Sequence, residues 1–159
     1  MLSAPSFDSG FRLAFIDLGT PEYEEAAEIR YDALYADLGL PRALIADTDG
    51  RTYRHLAAFD TDGRIVGYAR IWLEDGHSQI FQVSVSSAWR GRNVGATLVR
   101  ELVALAASLG RPEVTLDARA HVIGFYEQLG FQPYGEEFLS ARTGTPHRAM
   151  RLTLPPTQS

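Results

Sequence analysis

The sequence predicts a single α/β domain built on one mixed, mostly antiparallel sheet of about six to seven strands, flanked by helices. Three observations predict it. Segments with strand and helix periodicity follow one another in the order β-α-β-β-β-α-β-α-β-β. The consecutive strands in the middle should pair as antiparallel neighbours. A chain of 159 residues, 45% apolar and 22% charged, suits one core of ordinary size. The organised part is expected over 12–154, after an N-terminal extension (1–11) and before a Pro-rich, polar, flexible tail (155–159).

Arg12 to Leu18 reads as the first strand. A helix follows from Pro21 to about Leu38. Thr20 is its N-cap, Pro21 fits the first helical position, and Glu22, Glu24 and Glu25 favour the positive end of the dipole. Tyr23, Ala26, Ile29, Ala33 and Leu34 form its apolar side, and Gly39 stops it. Two strands, Tyr53–Phe59 and Arg64–Leu73, flank the hairpin-turn sequence Asp60-Thr61-Asp62-Gly63. In the second, strict alternation puts Ile65, Gly67, Ala69, Ile71 and Leu73 on one face, with Val66, Tyr68, Arg70 and Trp72 on the other. A third strand runs from Gln79 to Val85. After a loop comes a long helix, Val94 to Leu109, with a buried stripe of Val94, Leu98, Leu102, Leu105 and Leu109; Gly110 and Pro112 end it. Val114–Ala118 is a strand, His121–Leu129 a short helix closed by Gly130, and Phe131–Leu139 and Pro146–Leu154 are closing strands.

Composition removes several functions. No apolar run approaches the ~20 residues needed to span a bilayer. Met1 to Gly10 lacks the basic start and apolar core of a secretory signal. With no cysteine, disulfides, thiolate catalysis and Cys-ligated metal are excluded, and a cytoplasmic location is the default expectation. A formal net charge of −5 argues against nucleic acid or an anionic membrane as partner. No metal site is expected.

The charge distribution says more than its sum. The 25 residues between Asp75 and Glu101 hold no carboxylate, where the overall acid content would place about three. The same window holds Arg90, Arg92 and Arg100. It contains the loop Arg90-Gly91-Arg92-Asn93-Val94-Gly95-Ala96, which runs from a strand into a helix N-terminus. The first turn of a helix has unpaired N–H groups and the positive dipole end, so it attracts anions. Gly91, Asn93 and Gly95 tolerate positive φ and let the amides curl inward as a nest. The loop lacks the Gly-Lys-Ser/Thr ending of a Walker A segment and the paired glycines of a dinucleotide fingerprint. Taken alone it indicates an anion site, with a tight turn whose arginines face solvent as the alternative.

The loop resembles motif A of the GNAT superfamily of N-acetyltransferases, whose pattern is Arg/Gln-x-x-Gly-x-Gly/Ala. Arg90, Gly95 and Ala96 match, and Asn93 replaces the middle glycine. Phe125-Tyr126-Glu127-Gln128-Leu129-Gly130-Phe131 resembles motif B at the proper distance downstream. Ala118-Arg119-Ala120-His121 and Thr145-Pro146-His147 resemble the small bacterial ElaA-like branch.

The resemblance implies a GNAT-like fold and acetyl-CoA as cosubstrate. Val83 and Val85 would pair with the pantetheine arm. The amides of Gly91, Arg92, Asn93, Val94, Gly95 and Ala96, together with Arg90, would hold the pyrophosphate. A backbone N–H of the Gln79–Val85 strand would polarise the thioester carbonyl. Tyr126 would be the general acid, lying at the edge of a core stripe of Val122, Phe125 and Leu129; the alternative is a core tyrosine with a satisfied hydroxyl. Glu74, Asp75, His77, His121, His147 or a water chain are candidates for the general base. Arg119 would contact coenzyme A or form a surface ion pair. The acceptor is expected to be a primary amine of a small molecule or peptide, with acceptor loops at 35–52 and 134–147; a homodimer is left open. A coenzyme A sensor without turnover and a nucleotide-binding protein of another family are the competing readings.

Overall fold

The computed structural model describes residues 10–47 and 49–156. The expected extension and tail therefore lie largely outside the described residues. Strand β1 (Phe11–Ile16) leads into helix α1 (Pro21–Leu34), where the Thr20 hydroxyl accepts from the Tyr23 amide at 3.2 Å as the N-cap. The helix ends earlier than its pattern suggested: Ala36–Leu38 is a separate 3-10 turn, closed by Gly39 at φ +65°. β2 (Tyr53–Asp60) and β3 (Ile65–Trp72) form the hairpin. Asp60 secures its turn, with Oδ1 accepting from the Asp62 and Arg64 amides. β4 (Gln79–Val85), α2 (Val94–Ser108), β5 (Glu113–Arg119) and α3 (Ile123–Gln128) follow.

The expected closing stretch Phe131–Leu139 is two short strands, β6 (Gln132–Pro133) and β7 (Phe138–Leu139), separated by Gly135 at φ +76°. Both pair with the last strand, β8 (Pro146–Thr153). Among the described residues the sheet thus has eight strands, against the expected six to seven or so, in the order β1-β2-β3-β4-β5-β8-β6, with β7 also on β8. Among the described strands, only β4 and β5 are parallel.

One face of the sheet buries Leu56, Ile71, Ile80 and Leu116 against Val94, Leu98, Val99 and Leu102 of α2. The other buries Ala57, Phe59 and Tyr68 against Tyr23 and Ala26 of α1. Two details depart from strict periodicity. Ile65 packs in the α1-side cluster and Val66 in the α2-side cluster, because the β2/β3 register slips between Ala58 and Phe59. Leu109, expected to complete the α2 stripe, is 52% exposed, since the helix stops one residue before it. Among the described residues, no helix is long and apolar enough to cross a membrane.

Candidate active site between the splayed strands

β4 and β5 pair only at Gln79↔Thr115 and Ile80↔Leu116. Beyond that point they separate, and Phe81–Val85 is not paired with β5. Two local features account for the splay. β5 stays registered with β8 along its whole length, from Glu113↔Thr153 to Arg119↔His147. β4 carries a bulge: Tyr68 faces Ser84 and Arg70 faces Phe81, so Gln82 and Val83 together face Ala69. Gln82 takes φ +56°, rare for a residue with a side chain. Nothing in the alternating pattern of this strand signals a bulge, and sequence reasoning missed it. The expected carbonyl-polarising strand is thus the one that is bent and released from its neighbour. Val83 and Val85 lie on the part of β4 that is not paired with β5.

The anion loop lies at the open end of the splay. Ser87–Trp89 forms a 3-10 turn, and Gly91 and Asn93 adopt φ +77° and +68°. Gly95 does not. It lies inside α2, and its missing side chain admits Phe125, whose Cζ would be 3.4 Å from an added Cβ. Asn93 is the N-cap, yet its side chain caps nothing. The first backbone bond of α2 is donated by the Thr97 amide to the Asn93 carbonyl at 3.1 Å. Among the described residues, the Val94, Gly95 and Ala96 amides of the first turn have no acceptor. This uncapped N-terminus, preceded by two left-handed residues, fits a pyrophosphate held by amides. Arg90 and Arg92 are exposed. The Arg92 guanidinium lies 3.8 Å from the centre of the Trp89 ring.

Tyr126 is placed differently from the expected stripe edge. It is 8% exposed, packed edge-on against Phe125 and Phe131 in the α2-side core, whereas Phe125 is 39% exposed. The helix begins at Ile123, after a 3-10 turn, and this rotates Tyr126 inward. Its hydroxyl has no hydrogen-bond partner among the described residues, and burial pushes its pKa well up.

The base candidates separate cleanly. Glu74, Asp75 and His77 lie just before β4, at the end where β4 and β5 are still paired. Glu74 is occupied there, accepting from the Thr52 amide at 2.8 Å and from Trp72 Nε1. His77 stacks on Trp72 with centroids 3.8 Å apart. His121 and His147 lie at the open end. His121 is exposed in the turn before α3. His147, opposite Arg119 on β8, uses Nδ1 toward the Thr145 carbonyl at 2.9 Å. A carbonyl only accepts, so Nδ1 is a donor here, and in the neutral imidazole Nε2 would be the ring nitrogen able to accept. Asp117, overlooked in the sequence, shares this face: Val114, Leu116 and Ala118 point to the core, so Thr115, Asp117 and Arg119 point the other way. Desolvation raises the Asp117 pKa, with His147 acting in the opposite direction. Arg119 donates to the Leu34 carbonyl at the end of α1. Arg142, in the loop after β7, reaches the Leu44 carbonyl at 3.0 Å and the Tyr35 hydroxyl at 3.3 Å, so the two expected acceptor loops meet over this face.

Known proteins match this architecture. The Acetyltransferase (GNAT) family matches residues 13–131. Protein ElaA of Escherichia coli K12 is 32% identical over 140 residues, 78% of this chain and 90% of that protein. The ElaA crystal structure superposes with a TM-score of 0.72 at 26% identity, covering 89% of this chain and 98% of ElaA. A proposed [ribosomal protein bS18]-alanine N-acetyltransferase of Bacillus subtilis (strain 168) is 30% identical over 86 residues; the match spans 52% of this chain and 57% of that protein. An aminoglycoside 6'-N-acetyltransferase solved with coenzyme A has the same fold, with a TM-score of 0.72 at 17% identity over 92% of this chain and 99% of that one. With the splayed strands, the uncapped helix and a family match over 13–131, most of the chain, the protein belongs to the GNAT family of acetyltransferases.

Proposed function

We propose that the protein transfers an acetyl group from acetyl-CoA to a primary amine of a small molecule or peptide, by direct attack of the amine on the thioester. The observation that carries this reading is the free edge of β4 beside a helix N-terminus with unpaired amides. Gly91–Ala96 and Arg90 hold the pyrophosphate, and Val83 and Val85 offer backbone groups to the pantetheine arm. A solved fold neighbour containing coenzyme A supports acetyl-CoA as the cosubstrate. The bound thioester supplies the activated acetyl group. An N–H of the bulged part of β4 donates to its carbonyl oxygen, where negative charge develops. His147 Nε2, beside Asp117, accepts the amine proton. Tyr126 donates a proton to the departing thiolate: its hydroxyl is protonated at neutral pH and has no other hydrogen-bond partner among the described residues.

Tyr126→Phe tests the assignment. Thiol release from acetyl-CoA, measured against a panel of amines, amino acids and peptides, should fall by about a hundredfold in kcat, while the calorimetric affinity for acetyl-CoA stays within about twofold. Tight acetyl-CoA binding by the wild type with release to no acceptor would instead indicate a sensor.

A further inference from the structure

The α1 face of the sheet contains a charged cluster that substrate contact does not explain. Arg30 of α1 is 1% exposed and Arg70 of β3 3% exposed. Asp47, from the loop after α1, pairs with Arg70 and lies 3.6 Å from Arg30 Nη1. Two guanidiniums share one carboxylate, and Nε of both arginines is buried without a hydrogen-bond partner among the described residues. Such a cluster is a poor stabiliser: its desolvation is costly, and apolar replacements of similar volume often stabilise as well or better. Its position is more informative than its energy. Arg30 Nη1 donates to Gln82 Oε1 at 3.0 Å, and Gln82 is the residue at φ +56° in the β4 bulge. The Gln82 carbonyl is tied in turn by Ser84 Oγ at 2.9 Å. A left-handed conformation in a residue with a side chain persists only where the surroundings over-determine it. Here the side-chain amide is held from α1, and α1 is locked to the loop and to β3 through Asp47.

We propose that Arg30 is a positioning residue: by gripping the Gln82 side chain it fixes the β4 bulge, and so aims the N–H that polarises the acetyl carbonyl. Asp47 ties this grip to the loop over the acceptor face. The inference rests on the acetyl-CoA reading above.

The test uses Arg30→Met, Gln82→Met, the double variant and Gln82→Glu, with two readouts. Gln82 is partly exposed and Arg30 is its side-chain partner, so Gln82→Met removes the grip even where Arg30→Met fails to fold. Each single Met variant should lower kcat about tenfold, with acetyl-CoA affinity within about twofold, and the double variant should be no slower than the slower single. The resonance of acetyl-CoA labelled with carbon-13 at the thioester carbonyl should move downfield on binding the wild type, and most of that displacement should vanish in the Met variants. Gln82→Glu keeps an acceptor oxygen and balances the two arginines, so it should retain both properties. Additive losses, an unmoved carbonyl resonance in Gln82→Met, or a Gln82→Glu enzyme as slow as Gln82→Met would overturn the proposal. Failure of the wild type to bind labelled acetyl-CoA would overturn the underlying reading instead; the resonance needs no acceptor, so the two failures are distinguishable.

Discussion

Single residues in this protein carry tasks that their types alone do not announce. His55 is the clearest case. It is buried, and Tyr68 Oη lies 2.5 Å from its Nδ1. Burial, with Arg70 and Arg30 nearby, lowers its pKa to about 4, and burial raises that of Tyr68 to about 12, so the tyrosine donates and the imidazole accepts. A histidine held neutral in the folded state takes up its proton more readily when unfolded. Its contribution is therefore present above the unfolded pKa of ~6.5 and is lost as pH falls toward about 4, with a slope approaching ~1.4 kcal/mol per pH unit. Urea melts across that interval should show the loss, and His55→Gln should flatten it. Asn93 is the second case. Its φ of +68° suits Asn or Gly. Asn93→Val should cost about 1–2 kcal/mol and weaken acetyl-CoA binding, whereas Asn93→Gly should keep stability and bind at least as tightly, by denaturation and calorimetry.

At the scale of elements, the strand β3 and the helix α2 are fitted at one glycine. A Cβ on Gly67 would sit 2.6 Å from Val94 Cγ1, 3.1 Å from Leu98 Cδ1 and 3.4 Å from the Ser84 carbonyl. Val94 and Leu98 are both fully buried, so neither can move aside. Gly67→Ala should lower unfolding stability by about 1–3 kcal/mol in denaturant titration. It should also displace the first turn of α2, and with it the amides of the anion loop, so acetyl-CoA affinity should drop with stability. Most elements were readable from the chain because their signals are local: Thr20 and Pro21 for α1, Asp60-Thr61-Asp62-Gly63 for the hairpin, and the apolar stripe for α2. The β4 bulge was not readable. A bulge is fixed by what faces the strand, here Ala69 on β3 and Arg30 on α1, and those residues are distant in sequence.

For the molecule as a whole, the charge separation matters more than the net charge. The described residues combine an arginine-bearing loop at one end of the splay with an acidic remainder, so the proposed anion site is set apart from like charge. A ligand that engages that loop, β4 and α2 together should stabilise the entire domain. Acetyl-CoA at about 100 times its Kd should add ~2.7 kcal/mol to unfolding and raise Tm by several degrees, while ATP and NAD at equal concentration leave it unchanged. A rise with ATP or NAD in place of acetyl-CoA would contradict the assignment.

The sequence by itself determined the fold class, the hairpin and the long helix, and singled out the Arg90–Ala96 loop and Tyr126 as candidates, because each depends on periodicity, capping chemistry or a contiguous motif. Tertiary structure decided the rest. It turned Tyr126 into the core and Phe125 outward through a change of helix type at Ala120–Val122. It separated His147 from Glu74, Asp75 and His77 by assigning them to opposite ends of a splayed strand pair. It brought Arg30, Asp47, Arg70 and Gln82 to one point from four segments of the chain. Contacts of that kind depend on register and packing across the sheet, which no local stretch of residues encodes.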